Sequence, residues 1–395
     1  MSRIIVIGAG FAGLVSAITC KKNNPSNEVI ILEKLNVPGK KILVTGNGRC
    51  NYYNSKQEKK FYHTNNIDFI DNIDKEVNKS LEFYNNLGII PTIKDGYYYP
   101  YSKEASTIRN ALLEECDRLK IKIETDYKVF KIYKDNDFII NDSLTCDRLI
   151  IATGSLSYYK DIDFSGYEIA KGFGHNLVKL VPSLVQLVCS GNYFKKWAGI
   201  RSDANLSLYI ENELIKEERG EVMLTDYGLS GICIFNLSGD ASRALSDNLK
   251  VRININFLPF LTQNIYKFLE ERDMSIKSSL SRILNSKLVD IIIQKSNLNS
   301  NSSFKELSDE EKDNLVDNLL SFKVEVIDTK GFANSQVTSG GIDTKEVDRN
   351  TMESKLVKGL FFAGEILDVD AICGGYNIAF ATLSGIKAGI GAAND

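Results

Sequence analysis

Arg3-Ile4-Ile5-Val6-Ile7-Gly8-Ala9-Gly10-Phe11-Ala12-Gly13 opens the chain with an apolar strand pattern that runs straight into G-x-G-x-x-G. A helical pattern follows at once, with Phe11, Leu14, Val15 and Ile18 at three- and four-residue steps. Gly8 permits the tight turn, Gly10 lets a pyrophosphate approach the backbone, and Gly13 lets helix and strand pack closely. The helix start, Phe11-Ala12, offers unpaired amides and a partial positive charge to phosphates. After the loop Asn23-Asn24-Pro25-Ser26-Asn27, Val29-Ile30-Ile31-Leu32 reads as a second buried strand ending at Glu33, with Lys34 beside it. An acid about 20 residues beyond the turn is placed to take ribose hydroxyls and to repel a 2′-phosphate. FAD or NAD is therefore expected rather than NADP.

The far end of the chain supplies a matching element. Gly359-Leu360-Phe361-Phe362-Ala363-Gly364-Glu365 reads as a buried strand ending in a glycine and an acid. Cys373-Gly374-Gly375-Tyr376-Asn377-Ile378 then starts a helix with one small face: Ala379, Ala381, Ser384, Gly385 and Ala388. The chain thus leaves a nucleotide domain and returns to close it, which favours bound FAD over a dissociable nicotinamide nucleotide. The helix start would stabilise the pyrimidine end of a reduced flavin. Between the two ends, Leu149-Ile150-Ile151-Ala152-Thr153-Gly154 reads as a returning strand. Pro38-Gly39-Lys40-Lys41 opens a second glycine turn, Gly46-Asn47-Gly48-Arg49-Cys50-Asn51. Lys40, Lys41 and Arg49 are cations for a pyrophosphate, and Asn47 and Asn51 are amides for a flavin edge. A solvated loop reads the same composition equally well. No second G-x-G-x-x-G occurs, so a nicotinamide nucleotide would dock without a Rossmann unit of its own.

At 395 residues the chain exceeds a single typical core, so more than one domain is expected. A hydrophobic share of 43% and a charged share of 25% are those of a soluble globular protein. No apolar run is long enough to span a bilayer, and the N-terminus enters a strand without a signal-peptide pattern. A net charge of −3 gives no basic footprint for nucleic acid. Seven cysteines without a C-x-x-C pair read as reduced thiols of a cytoplasmic protein. Two histidines, His63 and His175, are too few for a multi-histidine metal centre, and no metal is expected.

Along the chain, residues 67–88 are predicted as one helix closed by Gly88. Tyr97-Tyr98-Tyr99-Pro100 is predicted as an aromatic loop, and Ala105, Ile108, Leu112, Cys116 and Leu119 as the stripe of another helix. Short strands with turns at Asp135-Asn136 and Asn141-Asp142 fill 128–146. Residues 184–260 alternate, as in Asn205-Leu206-Ser207-Leu208-Tyr209-Ile210, and predict half-exposed strands. Residues 262–296 read as helices, and Ser308-Asp309-Glu310-Glu311 as a capping box opening one more. The expected organisation is α/β: a three-layer, Rossmann-like FAD-binding domain from 1–188 and 336–395, interrupted by a substrate or lid domain at 189–335. That insertion is β-barrel-like at 189–260 and 321–335 and helical at 261–320.

The stretch Gly39-Lys40-Lys41-Ile42-Leu43-Val44-Thr45-Gly46-Asn47-Gly48-Arg49-Cys50-Asn51 is the most specific signature, with Gly364-Glu365, Cys373-Gly374-Gly375-Tyr376-Asn377, Thr351-Met352-Glu353-Ser354-Lys355 and Gly228-Leu229-Ser230-Gly231. Together they resemble, nearly end to end, the BaiN and HI0933-like group of bacterial NAD(P)/FAD-dependent oxidoreductases. The resemblance implies the two-domain fold above. It implies FAD contacts from Gly8, Gly10, Phe11, Ala12, Gly13, Glu33, Lys34, Lys40, Lys41 and Thr45. It extends them to Asn47, Gly48, Arg49, Cys50, Asn51, Thr153, Gly154, Gly364 and Glu365, and to the turn Gly375, Tyr376, Asn377 and Ile378. The backbone of Val129 would bracket the adenine. Asp226, Ile232 and Tyr97 depart from the family's usual His, Pro and Arg, so substrate identity does not carry over.

The expected activity is FAD-dependent reduction of an unsaturated or carbonyl small molecule, with NAD(P)H as a transient electron donor. One member type resembles a bile-acid ring reductase. Another is similar to an aminoacetone oxidase, which makes a peroxide-forming oxidase of a small amine or amino ketone the rival. A non-catalytic or RNA-associated flavoprotein is the third reading. Anaerobic bleaching of the flavin by NAD(P)H or by amines separates the first two, and salt-sensitive RNA binding marks the third. The sequence demands no catalytic base: the flavin carries the electrons, Cys50 and Cys373 read as structural thiols, His175 as a polar loop residue, and Tyr376 as a proton donor or a packing group.

Overall fold

Ile4, Ile5 and Val6 are all fully buried, without alternation, which marks a strand covered on both faces. In the computed structural model, which describes residues 1–158, 165–261 and 265–394, this strand, β1 (Arg3–Ile7), is central in a five-stranded sheet. The described chain divides into two compact units, 1–180 with 337–395, and 181–336. The division falls after Leu180, ahead of the residue 188 expected.

In the first unit, β1 pairs in parallel with β2 (Glu28–Leu32) on one side and with Arg148–Ile151 on the other, in registers Ile5↔Ile30 and Ile5↔Leu149. Lys122–Glu124 adds to β2, and Leu360–Phe362 adds in parallel to Arg148–Ile151. The far end of the chain therefore supplies an edge strand beside one from the middle. Helix α1 (Phe11–Asn23) and the C-terminal helix Tyr376–Ala393 pack together very closely. A methyl group at Gly385 would sit 2.7 Å from the Ala12 carbonyl oxygen, and one at Gly389 would sit 2.5 Å from that of Ser16. Only small residues allow that approach. The predicted strands of 128–146 form an antiparallel meander that touches β1, with Asn141 and Asp142 both at positive φ in its second turn.

In the second unit six strands close into a barrel: Leu187–Cys189, Arg201–Ile210, Glu213–Leu224, Gly228–Ser230, Val251–Asn256 and Phe322–Thr329. The two long strands meet at Glu211-Asn212, both at positive φ, the two-residue turn that suits a right-twisted hairpin. Val251, Ile253 and Ile255 point into the core around Trp197 and Phe322, whose rings lie 5.6 Å apart. The capping box at Ser308 forms as predicted, Ser308 Oγ accepting from Glu311 N and Glu311 Oε2 accepting from Ser308 N.

Several local expectations are corrected. Ile232–Ser246, read among strands, is a helix that buries Ile234, Leu237 and Ala241. Tyr97–Pro100 is a strand between Tyr53–Asn54 and Pro91–Lys94 rather than a loop. The single helix expected at 67–88 breaks at Asn72, which takes φ +63°, and α-helix forms only after it, at Ile73–Glu76 and Asn78–Asn86. His175 does lie in a loop, between Ser165–Gly172 and Leu177–Ser183, but it is enclosed there rather than solvated. Its side chain has no exposure, its Nδ1 lies 3.1 Å from Glu346 Oε2, and its Nε2 lies 2.8 Å from Ser354 Oγ.

Gly389→Ala should lower the melting temperature, equivalent to about 1–3 kcal/mol of overpacking, because a helix carbonyl must move. Gly172→Ala, at a helical position with nothing within 4 Å of the added carbon, is the control and should be neutral or slightly stabilising. Thermal melts of the two variants compare them directly.

Burial holds His175 below the ordinary imidazole value of 6.5, against the opposing pull of Glu346. The unfolded chain therefore binds that proton more readily, and the contribution to stability is lost as pH falls below the ordinary value. The melting temperature should drop between about pH 7.5 and 5.5, and His175→Gln should flatten that part of the profile.

Candidate functional site

The Gly8 amide donates to the Leu32 carbonyl at 2.8 Å, tying the glycine turn to the end of β2. Gly8 takes φ +101°, and a methyl group there would meet the Ala152 carbonyl oxygen at 2.5 Å. At Gly13 it would lie 1.9 Å from the Gly8 oxygen. Gly10 is the opposite case, with nothing within 4 Å of an added carbon. Helix α1 starts there with no side-chain cap and no acid in its first turn, so the Phe11 and Ala12 end of the helix is open to an anion.

Glu33 is buried, and its two oxygens accept from Ala9 N at 2.7 Å and Leu35 N at 2.9 Å. The carboxylate braces the glycine turn and keeps acceptor capacity for a hydroxyl. Lys34 is exposed and Val129 is buried. In the 39–51 loop, Thr45 Oγ1 donates to Ile42 O at 2.7 Å, and Asn47, Gly48 and Cys50 hold positive φ. Lys40, Asn47 and Arg49 are exposed, and the Arg49 guanidinium stacks 5.7 Å from the Tyr99 ring centre. Lys41 does not stand free for a phosphate. Its Nζ lies 2.6 Å from Glu365 Oε2 and 2.7 Å from Ser157 Oγ. Cys50 has no exposure, and burial pushes its thiol up to about 12, so it is a packing group.

The closing element meets the same region. Gly364, at φ +81°, donates its amide to Ser384 Oγ at 2.9 Å, and a methyl group there would hit the Ala12 side chain at 2.7 Å. Thr153-Gly154 ends the neighbouring strand, with open space at Gly154. Gly375 caps the C-terminal helix at φ +92°, and an added carbon would lie 2.9 Å from both Asn51 Oδ1 and the Tyr53 carbonyl oxygen. That Asn51 Oδ1 is buried without a hydrogen-bond partner in the structure. A buried acceptor of this kind is costly unless a donor reaches it. Tyr376 is buried against Phe61 and Tyr62, its hydroxyl raised to about 12 by burial. The Asn377 side chain clamps the preceding loop through Ala371 N and Ala371 O, both at 2.9 Å, and Ile378 is half-buried. An uncapped helix start, an open glycine and an orphaned acceptor suit a dinucleotide that carries a polar ring.

The sequence reading missed a polar group formed by His63, Asp370 and Asp368. His63 pairs with Asp370 across 307 residues of chain, and the only sequence signal was the scarcity of histidine.

Residues 2–391 match the model of the HI0933-like protein Rossmann domain. The chain is 34% identical to the 3-dehydro-bile acid delta(4,6)-reductase of Clostridium scindens, across 100% of this chain and 99% of that protein. It is 30% identical to the ribosomal RNA dihydrouridine synthase of Haemophilus influenzae, across 96% of each. A flavocytochrome c3 fumarate reductase shares the fold, with a TM-score of 0.51 at 13% identity, over 99% of this chain and 78% of that one. The chain belongs to the HI0933-like Rossmann-domain family, as a flavin-dependent oxidoreductase.

Proposed function

We propose that the chain binds FAD in the cradle just described and reduces a carbon–carbon double bond conjugated to a carbonyl. The observation that carries the reading is the chemistry common to two unlike relatives. A 3-dehydro-bile acid with delta(4,6) unsaturation and a uridine that becomes dihydrouridine both present C=C conjugated to C=O. Bound there, FAD would supply two-electron chemistry, with a nicotinamide nucleotide as the proposed source of the electrons.

The chain's own residues bind and orient. The amides at the start of α1 and the open face of Gly10 would hold the pyrophosphate. Glu33 would take the ribose hydroxyls. Asn51 Oδ1 would accept from an N–H of the flavin ring. The first-turn amides of the C-terminal helix, from Tyr376, would offer a partial positive charge to the ring. Lys41 and Glu365 act as a pair, the cation keeping the acid in place beside Ser155, whose Oγ lies 3.2 Å from the same oxygen.

Of the two substrate classes, the small molecule is favoured. The identity is higher and complete in coverage, and a net charge of −3 offers no general attraction to RNA. RNA is the second reading, carried by the dihydrouridine synthase likeness. The oxidase reading rests on family resemblance alone.

Glu33→Ala should weaken FAD binding by about 1–3 kcal/mol, since the charged acceptor and the brace on Ala9 go together. Equilibrium titration of the apoprotein with FAD measures it.

The electron flow is tested by anaerobic mixing. NADH or NADPH should bleach the bound flavin, and a 3-dehydro-4,6-diene bile acid should restore its absorbance. Restoration by a uridine-containing RNA and not by the steroid would establish the second reading. Bleaching by amines and not by either nucleotide would establish the oxidase.

A further inference from the structure

Two buried carboxylates and one imidazole meet on the short ribbon that leads into the Gly374-Gly375 turn. Tyr62–His63 pairs antiparallel with Asp370–Ala371, which sets His63 opposite Asp370. His63 Nδ1 lies 3.1 Å from Asp370 Oδ1 and 3.4 Å from Ser339 Oγ. The Asp370 side chain is 7% exposed and that of His63 is 32% exposed, so the acid sits inside and the ring reaches out. Among the described residues His63 Nε2 has no hydrogen-bond partner. Asp368 is fully buried beside the pair. Its Oδ2 accepts from Asn65 N at 2.8 Å, and its Oδ1 is orphaned. Burial raises the Asp368 carboxyl, against the pull of the Asn65 amide and then of His63.

The ribbon adjoins both halves of the closing element. Leu367 N donates to Gly364 O at 3.1 Å, and Ile372 N donates to Phe61 O at 3.0 Å. Asn377 already clamps Ala371, so the ribbon is fastened without help from His63. A pair that served only to hold two strands would bury its ring and spend both nitrogens, as His175 does. His63 spends one. A buried carboxylate on Nδ1–H fixes the tautomer and orientation and leaves Nε2 for a reacting group.

We propose that His63 is the proton donor of the reduction, a catalytic residue held by Asp370 as its positioning residue. This role rests on the reading of the chain as a reductase of conjugated double bonds. As the hydride reaches the β-carbon, the C=C electron pair shifts through the carbonyl to an enolate. The imidazolium of His63, with a proton on each nitrogen, then gives its Nε2 proton to the α-carbon. Two C–H bonds form, one N–H bond at His63 breaks, and the bond that carried the hydride breaks at its donor, which is thereby oxidised. The substrate gains two electrons and two hydrogens, the electrons coming from the reduced flavin, itself reduced by the nicotinamide nucleotide. The neutral imidazole regains its proton from water.

The test starts with FAD-loaded protein reduced with dithionite and mixed anaerobically with the 3-dehydro-4,6-diene bile acid or the uridine-containing RNA. His63→Gln should keep its FAD and its rate of reduction, and reoxidation by the acceptor should slow at least about 100-fold. Asp370→Asn should slow the same step by less, with FAD retained. Diethylpyrocarbonate gives a readout independent of turnover. His175 is enclosed with both nitrogens bonded, so the 240 nm signal of the wild-type protein should report His63 alone, and bound acceptor should slow it. Unchanged reoxidation in folded His63→Gln overturns the role. So does an imidazole that diethylpyrocarbonate does not reach, or a carbethoxylated protein that reoxidises at full rate. If His63→Gln does not fold, the modified wild-type protein decides. Wild-type protein that no conjugated acceptor reoxidises sinks the function reading itself, and this role with it.

Discussion

The contact between α1 and the C-terminal helix is the constraint on which the first unit depends. Gly385 and Gly389, four residues apart, let the C-terminal helix lie against the Ala12 and Ser16 carbonyls at distances no side chain permits. That approach fixes where Gly364 can turn, because Gly364 itself touches Ala12. It also sets the edge strand Leu360–Phe362 in register beside Arg148–Ile151. The same packing pairs the first turns of α1 with the middle of the C-terminal helix, while the Gly375 cap lies against Asn51 and Tyr53. Close small-residue contacts of this kind trade side-chain burial for backbone proximity. A change of one carbon there is felt by two elements rather than one.

What was legible in the sequence follows the range over which each signal acts. The glycine turn, the meander turn at Asn141-Asp142 and the Ser308 capping box are local, and each appears where expected. The closing strand and small-faced helix were legible because burial on all sides leaves a composition without periodicity. Ile232–Ser246 was not. Its first turn, Ile-Cys-Ile-Phe, reads as a strand, and the helical period emerges only once Leu237, Ala241 and Ala244 are known to face one way. Asn72 broke an apparently continuous helix by taking a left-handed conformation, to which asparagine is prone and which no periodicity detects.

The polar part of the site was the least legible, and distance along the chain is the reason. Lys41 finds Glu365 across 324 residues, and His175 finds Ser354 across 179. A cation in a glycine loop reads as a phosphate ligand when its partner is unknown. A histidine next to Gly174 reads as a solvated loop residue for the same reason. Both are satisfied ionic or hydrogen-bonded groups once the fold closes, and a buried polar group has to be. Some groups depart from that rule, among them Gln186 Oε1 and Asn205 Oδ1 in the barrel unit and Asn51 Oδ1 and Asp368 Oδ1 in the first unit.

Under the proposed reading, one chemistry would serve unlike substrates. Reduction of a conjugated double bond needs a hydride at one carbon and a proton at the next, whatever framework carries them. The reacting fragment of a steroid dienone and of a uracil ring is the same in this respect. A site that orients the ring and one proton donor is therefore indifferent to the remainder of the molecule. Two departures from the family pattern, Asp226 and Ile232, lie in the barrel unit, where Ile232 is 63% exposed at a helix start. Exposed apolar surface at such a position carries no cost to the barrel core if it changes. The glycine turn and Glu33, by contrast, are tied to backbone geometry, Gly8 by its positive φ and Glu33 by its bonds to Ala9 N and Leu35 N.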